Sequence, residues 1–350
     1  MSVDARRLVG IKAERVTDVS SRDFPGHYPD EDHSWNLDKF RENLTLKVKR
    51  LSNRSIDFDL VGVDASIANA FRRIMIAEIP TITIENVYVY NNTTVVVDEI
   101  LAQRIGLIPL NIDPTLMEMR NSDDEATDRN TMVFSLKLEC TRRKDAPKDA
   151  TDPAELYENH ELLSGHLVWE PAGEQPQVFA TSPPGPLNPN IVLAKLRPGQ
   201  GVEMTLHAVK GVGKDHAKFS PVATASYRLL PHINIKKRIP PSLAEKFQKC
   251  FSPGVISVHP RTKAVSVDPE GMRGDTVSRE VLRHPEFADS VELGRVRDHF
   301  LFNVESESAY PAERLLPEAI SIMRQKIAAI KRAAEAMLDQ TDGDVNMGDP

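Results

Sequence analysis

The stretch that most restricts the fold runs from residue 64 to residue 110. It opens D-A-S-I-A-N-A-F-R-R-I-M-I-A-E-I-P, a helix that carries its own start and stop signals. Asp64 stands where an N-cap oxygen would accept a free backbone N–H. Pro80 ends the run by removing a donor and pushing Ile79 out of helical geometry. Ile67, Ala70, Phe71, Ile74 and Met75 recur at the spacing of one buried face. Arg72 and Arg73 are followed by a single acidic residue, Glu78, in a segment otherwise nearly all apolar. So few solvated positions imply cover on more than one side. Either this is a core helix with snorkelling arginines, or the arginines end on a partner or an acidic neighbour.

Around this stretch the chain alternates strands and loops. Residues 1–40 read as an N-terminal extension: Pro25, Gly26, Pro29 and several acids favour irregular chain. Phe24, Tyr28 and Trp35 would suit an arm lying against the body, and a mobile arm is the other reading. Leu44, Leu46 and Val48, then Ile56, Phe58 and Leu60, alternate with polar residues across the turn Ser52-Asn53-Arg54, which predicts a hairpin with one buried face. Residues 81–97 predict two strands split at Asn91-Asn92. Asp98 is then expected to cap a short helix that Gly106 closes, with Pro109 beyond. Residues 121–130 read as an exposed acidic loop, and residues 141–153 and 182–190 as further loops. Phe134, Leu136, Leu138 and Cys140, and again Val202, Met204, Leu206 and Ala208, alternate as strands of a mainly β region.

The C-terminal helix carries a second constraint. From Pro317, well placed at a first helical position, Leu316, Ile320, Met323, Ile327, Ile330, Ala334 and Met337 step by four and three. That is a heptad-like seam on a helix of residues 317–338, roughly 33 Å long at 1.5 Å per residue. The seam packs either on the chain's own sheet or on another helix. The final residues, 339–350, are acidic and predict a disordered tail.

Composition narrows the class. The chain has 350 residues, enough for two domains, and a net charge of −7 argues against a broad nucleic-acid grip. Two cysteines, Cys140 and Cys250, offer neither a disulfide framework nor a cysteine zinc site, and no apolar run approaches the roughly 20 residues of a membrane span. With no apolar signal region at the N-terminus, a soluble intracellular protein is expected.

Two segments, taken together, resemble a known family. N-A-F-R-R-I-M-I-A-E-I-P followed by I-L-A-Q-R-I-G-L-I-P-L is similar to the alpha motif of the alpha-like subunits of cellular RNA polymerases, with Gly106 and Pro109 in their expected places. G-V-G-K-D-H-A-K-F-S-P-V-A-T-A-S-Y, at 211–227, is similar to the His-Ala-Lys-x-Ser-Pro signature of the larger eukaryotic alpha-like subunits. The resemblance implies an α+β fold. Its discontinuous dimerisation domain, a mixed sheet plus two helices, spans 41–80 and 220–338, with a mainly β domain of 81–219 inserted. It further implies an obligate heterodimer with a smaller alpha-like subunit that seats the second-largest catalytic subunit and small zinc-binding subunits. Asn69, Phe71, Arg72, Arg73 and Ile74, together with Ile320, Met323, Ile327, Ile330, Ala334 and Met337, become the expected partner interface. Arg72 and Arg73 fall on the side meeting the second-largest subunit. No cofactor, no membrane and little or no direct nucleic acid are implied, in a nuclear and nucleolar protein.

Departures from the family pattern select a branch. The polymerase II relative carries a four-cysteine zinc loop in its inserted domain, and some archaeal relatives an iron–sulfur cluster. One cysteine here supports neither. Too few residues follow Met337 for the DNA-binding domain of the bacterial subunit. Length, N-terminal extension and the D-H-A-K-F-S-P-V-A-T segment fit the branch shared by RNA polymerases I and III; the polymerase II subunit is the alternative.

Two segments bear on catalysis. K-G-V-G-K-D-H, residues 210–216, sets glycines beside lysine, which keeps a nucleotide-binding enzyme as the rival of another class. A phosphate loop, however, needs Ser or Thr after the lysine, and Asp215 stands there, so the glycines read as turn residues between strands. His160 and His166 lie six apart with Gly165 between, which does not match the four-residue spacing of a helical zinc pair. No Gly-x-Ser-x-Gly elbow or Asp-rich magnesium centre occurs. Any polymerase chemistry is expected in other subunits.

Overall fold

The computed structural model of the chain describes residues 4–19, 34–121, 123–147 and 150–344. Phe24 and Tyr28 lie outside them. The major elements in chain order begin with β1 (Leu8–Ile11), β2 (Val16–Thr17), α1 (Leu37–Asn43), β3 (Thr45–Leu51), β4 (Ser55–Val61) and α2 (Ala65–Ala77). There follow β5 (Pro80–Asn92), α3 (Asp98–Gly106), β6 (Thr131–Glu139), β7 (Val168–Glu170) and β8 (Gly201–Val212). The chain then returns through β9 (Val222–Ile235), α4 (Ala244–Lys249) and β10 (Val291–Ser306) to the long helix α5 (Ala312–Asp344). Helices and antiparallel strand pairs are thus mixed along the chain, an α+β fold.

The chain forms two compact units, residues Met1–Leu51, Ile56–Ala70 and Ser226–Asn303, and residues Ser52–Ser55, Phe71–Ala225 and Val304–Pro350. The first is built on a sheet ordered β2-β1-β10-β4-β3, with β9 also paired to β10. Part of the expected N-terminal extension is therefore sheet, since β1 pairs antiparallel with β10 from Leu8↔Val296 to Ile11↔Leu293. Phe58 stacks on Phe302, ring centroids 4.8 Å apart. A separate core gathers Ile233, Phe247, Val255, Phe287 and Leu293 around α4.

The hairpin of β3 and β4 forms as the alternation predicts, with Leu46↔Leu60 and Val48↔Phe58 in register. Its apolar face is buried on one strand alone. Ile56, Phe58 and Leu60 are buried, whereas Leu46, Val48 and Leu51 of the outer strand are each about half exposed. The register shifts between Val48 and Arg50, and the shift returns Leu51 to the side of Ile56. The apolar face thus continues past the cover this unit supplies.

The second unit contains the sheet β7-β6-β8-β5. Its core is drawn from residues between Ile82 and Ala208, among them Ile84, Leu101, Phe134, Leu136, Met204 and Leu206. Residues 81–97 hold one strand rather than two. β5 runs unbroken to Asn92 against β8, and its register shifts twice, which lets a 13-residue strand stay paired. Asn92 makes the turn that follows: its amide donates to the Val96 carbonyl at 3.0 Å and its carbonyl accepts from Thr94 N at 3.1 Å. Asp98 begins α3 but does not cap it. The N-cap is Val97, and the Asp98 carboxylate accepts from the Asn92 amide at 2.6 Å instead.

Candidate partner interface

α2 starts and stops where its sequence dictates. Asp64 Oδ1 accepts Ser66 N at 2.7 Å. At the other end Ile74 O accepts from Glu78 N at 2.9 Å and Ile79 N at 3.2 Å, and Pro80 begins β5. The buried positions are Ala68, Ile74 and Met75. Ile67, Ala70 and Phe71, expected on that face, are half-buried, as are Asn69 and Arg72, while Arg73 is exposed. Ile74, at 4% exposure, packs inside this chain and offers no surface to a partner, which corrects its assignment to the interface.

The segment 211–227 lies directly against this stretch. Lys214 N donates to Ala77 O at 2.8 Å and Thr81 Oγ1 to Phe219 O at 2.7 Å. Lys218, its side chain 11% exposed, reaches Ile84 O at 2.9 Å and Glu85 Oε2 at 2.5 Å. Gly211 is a strand residue of β8, not a turn residue. A Cβ there would stand 2.6 Å from the Phe219 ring, and one on Gly213 would stand 2.3 Å from Ile76 O. Both glycines permit close approach. The amides of Lys214 and Asp215 donate to Ala77 O and Val212 O, and Lys210 Nζ donates to Met117 O. These three groups are engaged within the fold. His166 Nδ1 accepts Leu163 N at 3.0 Å, a local structural bond. Among the described residues, no group of three His, Cys, Asp or Glu is arranged to hold a metal ion, and no helix is long and apolar enough to cross a membrane.

α5 begins at Ala312, ahead of the expected start, so Pro317 lies inside the helix and withholds a donor that Glu313 O would otherwise receive. It also runs to Asp344, into the segment read as a disordered tail; residues 345–350 lie outside those described. Its first turns are core: Ala312, Leu315, Leu316 and Ala319 are buried. Beyond them cover ceases. Ile320 is 40% exposed, Met323 is half-buried, and Ile327, Ile330 and Met337 are 58%, 70% and 69% exposed. Every residue from Arg324 to Leu338, Ala334 included, is exposed. The seam therefore starts in the core at Leu316, and from Ile327 to Met337 it is exposed.

Two ionic groups flank this change from buried to exposed. Arg314 donates to Asp113 Oδ2 at 2.8 Å and to Glu318 Oε1 at 2.9 Å, and lies over the Tyr310 ring. Burial opposes ionisation of Asp113, but bonds from Arg314 and Thr115 outweigh it and hold its carboxyl below the ordinary aspartate range. The bond to Asp113 in turn raises the pKa of Arg314, and burial raises that of the Tyr310 hydroxyl. Farther along, Lys326 Nζ bridges both oxygens of Glu78 at 2.7 and 2.9 Å. Glu78 stands out in the sequence as the single acid after the arginines, but no local pattern pairs it with Lys326, 248 residues away.

α5 is thus core at its foot, and its seam positions from Ile327 to Met337 are exposed. Residues 57–327 match the RNA polymerase Rpb3/Rpb11 dimerisation domain. A Saccharomyces cerevisiae protein named DNA-directed RNA polymerases I and III subunit RPAC1 is 49% identical over 328 residues, covering 93% of this chain and 97% of that one. The Homo sapiens protein of the same name is 47% identical over 312 residues, 89% and 90% of the two chains. A Dictyostelium discoideum RNA polymerase II subunit rpb3 is 33% identical over 305 residues, 84% and 96% of the two chains. The chain belongs to the alpha-like subunit family of DNA-directed RNA polymerases, in the branch shared by polymerases I and III.

Proposed function

We propose that this chain is the non-catalytic assembly subunit of RNA polymerases I and III, acting as an obligate heterodimer with the smaller alpha-like subunit. The observation that carries the reading is the seam of α5, exposed at Ile320, Ile327, Ile330, Ala334 and Met337 and half-buried at Met323. Such a stripe on a projecting helix is stable in water once a second apolar surface covers it, and an obligate interface of this kind buries on the order of 2,000 Å² or more. The half-exposed Leu46, Val48 and Leu51 offer further apolar area.

In this reading residues 41–80 and 220–338 form the dimerisation domain and 81–219 the insertion, supported by a core drawn from residues 82–208. The heterodimer seats the second-largest catalytic subunit and the small zinc-binding subunits, with exposed Arg73 offering a guanidinium to carboxylate or carbonyl oxygens. The complex would serve synthesis of ribosomal RNA precursor, 5S RNA and transfer RNAs, in the nucleus and nucleolus. The chain contributes no catalytic group and, at net charge −7, little grip on nucleic acid.

The test is co-elution of the purified chain with the smaller alpha-like subunit on size exclusion. The wild type is expected to elute as a pair and Ile327→Glu as separate chains. Survival of the pair with Ile327→Glu would show that the seam is not the interface.

A further inference from the structure

Burial of α5 ends near Met323, and every residue from Arg324 to Leu338 is exposed. Among the described residues, no buried apolar side chain of α5 beyond Met323 resists a swing of that outer part. Two polar fastenings stand where such a swing would be controlled. At the foot, Arg314 is held between Asp113 and Glu318, and Asp113 is itself fixed by Thr115 N at 2.9 Å and Thr115 Oγ1 at 2.7 Å. Three turns on, Lys326 meets Glu78 at the end of α2. The two points are roughly 18 Å apart along the axis at 1.5 Å per residue. One point of attachment lets a rod pivot; two separated points fix its direction.

We propose that Arg314 and Lys326 are positioning residues that hold the seam of α5 at the angle at which the partner chain receives it. The proposal rests on the reading of α5 as a docking helix. Lys326 and Glu78 are 54% and 31% exposed, and a pair so open to water contributes little to folding stability. Its effect is on the geometry of an otherwise unsupported helix. A helix already held in its bound direction loses less freedom when the partner arrives, so binding tightens without any new contact across the interface. Because the fastenings are ionic and partly exposed, salt loosens them.

Two measurements on the full chain test this. The first is the Kd for the smaller alpha-like subunit, for the wild type, Lys326→Glu, the exchange Glu78→Lys with Lys326→Glu, and Asp113→Asn. About threefold weakening is expected for Lys326→Glu, recovery in the exchange, and about tenfold weakening for Asp113→Asn, which keeps an acceptor for Thr115. The second is the spread of distances between spin labels at Lys137 and Ala334 in the chain alone. It should broaden in Lys326→Glu and Asp113→Asn and narrow again in the exchange. Unchanged spreads, or an exchange variant that stays as broad and as weak as Lys326→Glu, would overturn the proposal. If the wild type fails to bind the smaller subunit, the docking reading falls, and the label distances still decide the fastening.

Discussion

Lys326 of α5 holds both carboxylate oxygens of Glu78, at 2.7 and 2.9 Å, and this pair marks where α5 stops being core. On the foot side Leu315 and Ala319 are fully buried; past it Ile327 and Ile330 are mostly exposed. One helix therefore serves two purposes, and substitutions along it should separate them.

Leu315→Ala should destabilise the isolated chain by about 2–5 kcal/mol, since it removes a buried side chain and leaves a cavity. Ile327→Glu should leave the isolated chain's melting temperature unchanged while abolishing the heterodimer. Thermal melts of the two variants, with and without the smaller alpha-like subunit, check both.

Arg73→Ala concerns a different surface. Arg73 is exposed on α2, next in sequence to the buried Ile74. The heterodimer should form normally while capture of the second-largest subunit weakens, read by pull-down of that subunit on the preformed pair. Normal capture would remove Arg73 from the account.

Acid should loosen the foot of α5. The carboxyl of Asp113 titrates below its ordinary value of 3.8 when folded, because bonds from Arg314 and Thr115 outweigh burial. A depressed carboxyl contributes stability that is fully present above the ordinary value and is lost as pH falls through the folded one. Melting temperature should therefore fall more steeply below about pH 4 in the wild type than in Asp113→Asn. Parallel curves would show that ionisation of Asp113 does not stabilise the fold.

Gly211→Ala and Gly213→Ala should each destabilise by about 1–3 kcal/mol, because the new methyl meets the Phe219 ring or Ile76 O. Chemical denaturation midpoints read this directly. A neutral Gly213→Ala would mean that α2 and the 211–227 segment do not approach as closely as described.

Local physics made much of this fold legible. The caps of α2, the alternation of Phe134 and Leu136 in β6, and the heptad steps of α5 follow from neighbours a few residues apart. What was not legible depends on distant partners. Residues 81–97 read as two strands because Asn91-Asn92 looks like a turn, yet β8 carries β5 through to Asn92 before Asn92 folds the chain. Pro317 read as a helix start because the buried turn ahead of it, with Ala312 and Leu315, takes its cover from elsewhere in the chain. Alternation predicts a buried face for β3 and β4 alike, but it cannot show that cover stops before Leu46 and Val48. The candidate interface divides in the same way. Periodicity located the seam, and Ile74, on the same helix as Arg73, proved to be internal.

The most direct measurement is hydrogen–deuterium exchange over residues 324–338, in the chain alone and in complex with the smaller alpha-like subunit. Rapid exchange is expected in the free chain and strong protection in the heterodimer, centred on Ile327 and Ile330. Strong protection already present in the monomeric chain, or no gain of protection in the complex, would contradict that expectation.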